Sequence, residues 1–148
     1  FEFDCIVADA PIIVDKPNGS QQWPDCVIVY KKRGIPIEFK RSETGGIVWN
    51  SGLPQKDGIY VFNGAGGPPA TTYFLGHHVI TDKVRTLLEL FADTNKSVAS
   101  LLNMLNEDPR WNLYARPMFN GKTRPLADAA RADAESAVLE HLANFKWE

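Results

Sequence analysis

Residues 23–41 read WPDCVIVYKKRGIPIEFKR, and this stretch decides the fold. Cys26–Tyr30 and Ile35–Phe39 are short apolar runs rich in β-branched and aromatic residues, and Lys31-Lys32-Arg33-Gly34 stands between them. That pattern predicts an antiparallel hairpin with a basic turn. Side chains alternate across a strand, so Glu38 and Lys40 share one face while Phe39 points to the other. A hairpin of this length returns the end of its second strand to the start of its first. Asp25 is therefore expected to meet Glu38 and Lys40 at one sheet edge. Two carboxylates and an ammonium gathered there suit a hard divalent cation and a water molecule.

Working outward, the following segment 42–57 (SETGGIVWNSGLPQKD) has neither helical nor strand periodicity. Its Gly, Ser, Asn and Pro content predicts a loop, and the embedded Ile47, Val48, Trp49 and Leu53 mark it as a functional loop rather than a linker. Gly58–Asn63 and Thr71–Leu75 read as strands around a Gly64–Pro69 turn, the second continuing towards His77-His78. Before the hairpin, Phe1–Ala8 is strand-like and Pro17-Asn18-Gly19-Ser20 is a turn signal. The chain begins inside that first run, and an upstream segment is expected to have been removed or to belong to another chain.

From Asp82 the period changes to helical, with Val84, Leu87, Leu88 and Phe91 on one stripe and Thr81 or Asp82 as the N-cap. A second helix is expected over Val98–Leu105, introduced by Ser97 and ended by Pro109. Arg110–Pro125 is irregular, with Trp111, Tyr114 and Phe119 as anchors. Leu126–Phe145 is Ala-rich and helical, with an apolar stripe through Ala130, Ala134, Val138 and Leu142. Strands first and helices after predict an α+β fold, a mixed or mostly antiparallel sheet covered by helices.

The 148 residues suit a single domain with a real core. No apolar run is long enough to span a membrane, and no signal-peptide pattern opens the chain. Cys5 and Cys26 both lie in apolar runs and lack zinc-ligand spacing, which predicts a buried, reduced pair and a cytoplasmic protein. The net charge of −2 does not mark a nucleic-acid binder. Basic residues nevertheless cluster at 31–41 and again at Arg110, Arg116, Lys122, Arg124 and Arg131, and local patches can steer an anionic polymer.

Pro24-Asp25, twelve intervening residues and Glu38-Phe39-Lys40 resemble the signature of the PD-(D/E)xK nuclease superfamily. The setting matches, with the acid opening one strand and E-x-K ending its neighbour. The resemblance covers residues 24–40 as motif and about residues 1–106 as architecture, leaving about 107–148 as a C-terminal helical extension. Within the superfamily the chain looks most like a type II restriction endonuclease. It departs from the usual pattern in lacking a helix before the first core strand. The resemblance implies a restriction-endonuclease-like mixed sheet flanked by helices. It further implies Mg²⁺, with Mn²⁺ as a substitute, held by Asp25, Glu38 and the Phe39 backbone carbonyl. Lys40 would hold the attacking water, and hydrolysis would leave 5′-phosphate ends. The expected partner is double-stranded DNA, cut by a homodimer whose two sites match a symmetric target.

Asn50, Ser51, Gln55 and Lys56, in the loop after the catalytic strand, are candidates for base contacts. Arg41 and the basic turn are expected at phosphates. Asp57 is a further candidate acid. His77 and His78, if in a strand, point to opposite faces and cannot chelate one ion side by side. Trp49 and Trp111 are expected in the core. Arg116–Arg124 fits either a DNA clamp or a dimer contact. Two other readings remain: a structure-specific or nicking repair nuclease of the same fold, and a DNA-binding module that does not cut. An intact Asp25, Glu38 and Lys40 set speaks against the last.

Overall fold

The structure is a computed structural model describing residues 8–20, 22–43, 46–50, 52–64, 71–116, 118–120 and 128–147. Its centre is a five-stranded mixed sheet, so the chain is α+β. The strands are β1 (Ala8–Asp15), β2 (Cys26–Lys31), β3 (Arg33–Ser42), β5 (Ile59–Gly64) and β6 (Thr71–Leu75), in the spatial order β1-β2-β3-β5-β6. The pairings are antiparallel except for β3 with β5, which run parallel. A two-stranded ribbon pairs β4 (Val48–Trp49) with β7 (Phe119–Asn120).

The hairpin forms as its sequence predicts, but its turn is tighter. Tyr30 pairs with Arg33, leaving Lys31 and Lys32 as the loop, and Lys31 rather than Gly34 takes the left-handed backbone at φ 55°. Gly34 is buried inside β3 opposite Val29. The strand expected at Phe1–Ala8 falls mostly outside the described residues, and β1 instead runs over Ala8–Asp15. Its pairing with β2 is irregular between Ala8 and Ile12, where Pro11 has no N–H to give the ladder.

The sheet carries a core cluster on each face. Tyr60, Phe62 and Phe74 pack with Ile47 and Ala134, whereas Ile35, Ile59 and Leu75 pack with Val138. Tyr60 and Phe74, paired across β5 and β6, stack with centroids 5.8 Å apart. Ala134 and Val138 belong to α2 (Asp128–Ala143), which packs on edge strand β6 and covers its open side. Thr72 of β6 donates its hydroxyl to Glu135 at 3.0 Å. Of the expected α2 stripe, Ala134 and Val138 are buried, while Ala130 and Leu142 are exposed.

The two helical runs expected after residue 81 are one helix, α1 (Asp82–Leu105). Thr81 is the N-cap and accepts from the Val84 N–H. Ser97 does not break it, because its hydroxyl donates to the Asp93 carbonyl one turn back. The helix is joined to the sheet side at its start, where Arg85 Nη2 donates to the Pro54 carbonyl at 2.7 Å. It buries none of its residues. Among the described residues α2 is the helix that packs on the sheet, at its β6 edge. Beyond α1, Phe119 is buried, but Trp111 and Tyr114 are exposed rather than anchoring. Among the described residues no helix is long and apolar enough to cross a membrane.

His77 and His78 are not in a strand. They belong to a 3₁₀ turn, Gly76–His78, so consecutive side chains stay close and their rings lie 4.1 Å apart. Burial and the neighbouring His77 both hold His78 below its ordinary pKa of 6.5. A lowered folded pKa contributes stability above pH 6.5 that is lost as the pH falls. Thermal melts should therefore show an acid destabilisation that His78→Gln reduces.

Gly76 lies against the 54–58 loop, and its N–H donates to the Gly58 carbonyl at 3.1 Å. A Cβ added there would collide with the Gln55 backbone carbonyl. Because backbone rather than a flexible side chain must move, Gly76→Ala should lose about 1–3 kcal/mol of stability in urea denaturation.

Candidate active site

The register of the hairpin builds the site. Cys26 pairs with Ile37, so the next residue outward on β2, Asp25, stands beside Glu38. The Asp25 N–H donates to Glu38 Oε2 at 3.1 Å, and the Phe39 N–H donates to Asp25 Oδ2 at 2.8 Å. Lys40, two residues beyond Glu38 and on the same face, donates from Nζ to Glu38 Oε1 at 2.8 Å. Asp25 is held from behind as well, because its carbonyl accepts from the Lys16 N–H at 2.7 Å. Asp25, Glu38 and Lys40 thus come together as the sequence predicts.

Their surroundings are unequal. The Glu38 and Lys40 side chains are only 7% and 13% exposed, so their ion pair is largely withdrawn from solvent screening. Pro24 is fully buried and fixes the entry to β2. Beneath the pair lies an aromatic floor. Lys40 Nζ sits 5.5 Å from the Trp49 ring centroid, and Trp49 meets Tyr60 edge-to-face at 5.1 Å. Trp49 packs with the core, as expected, and also faces the ammonium. The Tyr60 hydroxyl accepts from the Gln55 N–H at 2.7 Å. Burial, aided by the charge of Glu38, pushes its pKa well above the ordinary value, so it stays a neutral phenol.

The three residues open into a polar cleft of about 190 Å³ lined by Ser20, Gln22, Asp25, Glu38, Phe39, Lys40 and Asn50. At roughly 30 Å³ per molecule it has room for several waters. The donor set fits Mg²⁺, which takes oxygen ligands, commonly uses one or two protein carboxylates and keeps waters and substrate oxygens for the rest. Among the described residues no three His, Cys, Asp or Glu side chains gather as a metal cage.

The loop candidates divide. Asn50 lines the cleft, and its carbonyl accepts from Arg116 Nε at 2.8 Å. Gln55 and Lys56 do not line it. They lie towards the start of α1, where Lys56 Nζ is 3.9 Å from Asp82. Asp57 faces His77 at 3.9 Å and is likewise not a cleft residue. The loop doubles back after Pro54, and this carries 55–57 to the 3₁₀ turn. Arg41 is exposed on β3. Ser51, Cys5, Lys122 and Arg124 lie outside the described residues. Cys26 is a free, buried thiol, and burial with the nearby Asp25 and Asp15 charges raises its pKa.

Sequence reasoning missed Ser20, Gln22 and the tie from Arg116. The first two sit within five residues of Asp25, which was a usable signal. Arg116 is 66 residues from Asn50 and reaches it only because β7 pairs with β4, which nothing local announces.

No protein-family model matches the chain, and neither a curated protein nor a solved structure is significantly similar to it. The reading of the site therefore rests on its own geometry.

Glu38 accepts from two donors, one on each oxygen, while almost fully buried. Glutamine supplies one acceptor oxygen and leaves a donor unmatched. Glu38→Gln should lose about 1–3 kcal/mol in urea denaturation.

Proposed function

We propose that this chain is a Mg²⁺-dependent endonuclease acting on double-stranded DNA. The observation that supports the reading is the register-locked cluster of Asp25, Glu38 and Lys40 at one wall of a polar cleft. A pocket for an apolar small molecule would be lined differently. Two acids facing an anionic polymer make sense where a divalent cation stands between them.

In this reading Asp25 and Glu38 hold the cation, with the Phe39 backbone carbonyl as a further oxygen. When bound, the cation would polarise the scissile phosphate and stabilise the leaving oxygen. The chain's own residues do the rest. Glu38 restrains the Lys40 ammonium on one side and Trp49 restrains it on the other, so its position is set before substrate arrives. The ammonium orients the attacking water and offsets the negative charge that gathers on the phosphoryl oxygens. Proton loss from that water is eased by the positive charge beside it. In-line attack leaves a 5′-phosphate and a 3′-hydroxyl.

For sequence specificity, Asn50 is the best placed of the candidate readers, because it lines the cleft and its backbone is tied by Arg116. An Asn amide can pair with an adenine edge. Exposed Arg41 is assigned to a phosphate, which sets the register of the duplex. Gln55 and Lys56 are too far round the loop to share the Asn50 contact in this arrangement.

Incubation of plasmid and phage DNA with Mg²⁺, comparing the parent chain with Lys40→Ala, tests the reading. The parent should cut, and the variant should lose about 10²–10⁴-fold in rate. Discrete fragments whose pattern changes in Asn50→Ala would support sequence-specific cleavage. Smears or nicked circles would favour the structure-specific or nicking alternative. Absence of metal-dependent cutting by the parent, with DNA binding retained, would replace the proposal with a non-cutting DNA-binding module.

A further inference from the structure

Helix α1 runs for 24 residues, about 36 Å at 1.5 Å per residue, yet buries no residue of its own. Helices draw most of their stability from tertiary packing of an apolar face. Such a face is present. Val84, Phe91, Val98 and Leu105 recur every seven residues, and Leu87 and Leu101 stand three positions beyond the first and third of them. These six side chains are 44–70% exposed, Phe91 at 53% even with its ring edge-to-face with Phe119 at 6.3 Å. The last ten residues of the helix and its cap, 97–106, contain no charge.

Polar groups along the helix do not obstruct burial. The hydroxyls of Thr86, Thr94 and Ser97 each donate to a carbonyl four residues back, and Asn95 donates its amide to the Phe91 carbonyl. A partner can therefore cover the face without leaving these donors unsatisfied.

We infer that this face is a two-fold interface, with α1 of one copy packed against α1 of a second copy of this chain. A seven-residue repeat is the seam of helix-on-helix packing, so the occupant is a helix with the same spacing. The other described helix, α2, already places its buried residues, Ala134 and Val138, against the sheet. The repeat that matches α1 is that of α1 itself, and an isologous contact uses one patch on both copies. The area is sufficient. Nine large apolar side chains on α1 are 44–81% exposed. At about 100 Å² apiece they reach the roughly 800 Å² per partner of a standard interface.

Sedimentation velocity across the micromolar range, on the parent chain and on Leu87→Glu/Leu101→Glu, tests the inference. The parent should sediment at twice the chain mass, and the variant should dimerise at least about tenfold more weakly with unchanged far-UV circular dichroism. Should the glutamate variant unfold, Leu87→Ala/Leu101→Ala keeps helix propensity and should give the same weakening. Glu89→Lys, off the repeat, should leave the dimer intact. A parent that stays monomeric, or a dimer that survives the alanine and glutamate variants, would overturn it. The experiment needs neither metal nor DNA, so its failure is separate from failure of the nuclease reading.

Discussion

The pairing of β2 with β3 is the constraint on which both the sheet and the candidate site depend. One in-register antiparallel ladder sets Cys26 against Ile37, and that single choice brings the Asp25 backbone to the Glu38 carboxylate. A slip of one residue would turn Glu38 and Lys40 to the other face and put Phe39 in their place. Such a slip would also strip the buried Ile35 of β3 from its core cluster, so hydrophobic burial and site geometry are enforced together. The acids are positioned by the same force that folds the core.

The site's electrostatics follow from its place on β3, the central strand of the sheet. Parallel pairing places Glu38 beside Tyr60 and Lys40 beside Phe62, so the polar residues sit on an aromatic floor. Charges over such a floor interact more strongly than they would in water, and an unpaired one would cost more. Glu38 and Lys40 therefore need each other in the folded protein, and Trp49 confines the ammonium further. The proposed chemistry uses this confinement, since a lysine that is already held loses little freedom when substrate arrives.

The two helices divide the remaining tasks. α2 completes the core by covering an edge strand that would otherwise offer unpaired backbone groups. α1 is tied at its first turns by Arg85, meets Phe119 of β7 through the edge-to-face ring of Phe91 at 6.3 Å, and otherwise presents its apolar repeat outward. Asn103 and Asn106 fold the following segment back by hydrogen bonding to Leu113 and Trp111. That return path leads to β7, which pairs with β4 and steadies the loop carrying Asn50.

What the sequence by itself determined were the local features: the hairpin, strands at Gly58–Asn63 and Thr71–Leu75, a helix start capped at Thr81 or Asp82, and the sharing of one face by Glu38 and Lys40. Each rests on period, capping or turn chemistry within a few residues, where local physics dominates. Even so, local reading split α1 at Ser97, because a serine in mid-helix can satisfy its hydroxyl on its own backbone without breaking the helix. It also carries the strand ending at Leu75 on towards His77-His78, because three residues of 3₁₀ turn leave no periodic trace. Only the tertiary structure decided that β3 and β5 run parallel, that Asn50 lines the cleft while Gln55 and Lys56 do not, and that Arg116 ties Asn50 down. Those outcomes depend on contacts between segments far apart in the chain, and such contacts are chosen by packing of the whole rather than by the residues beside them.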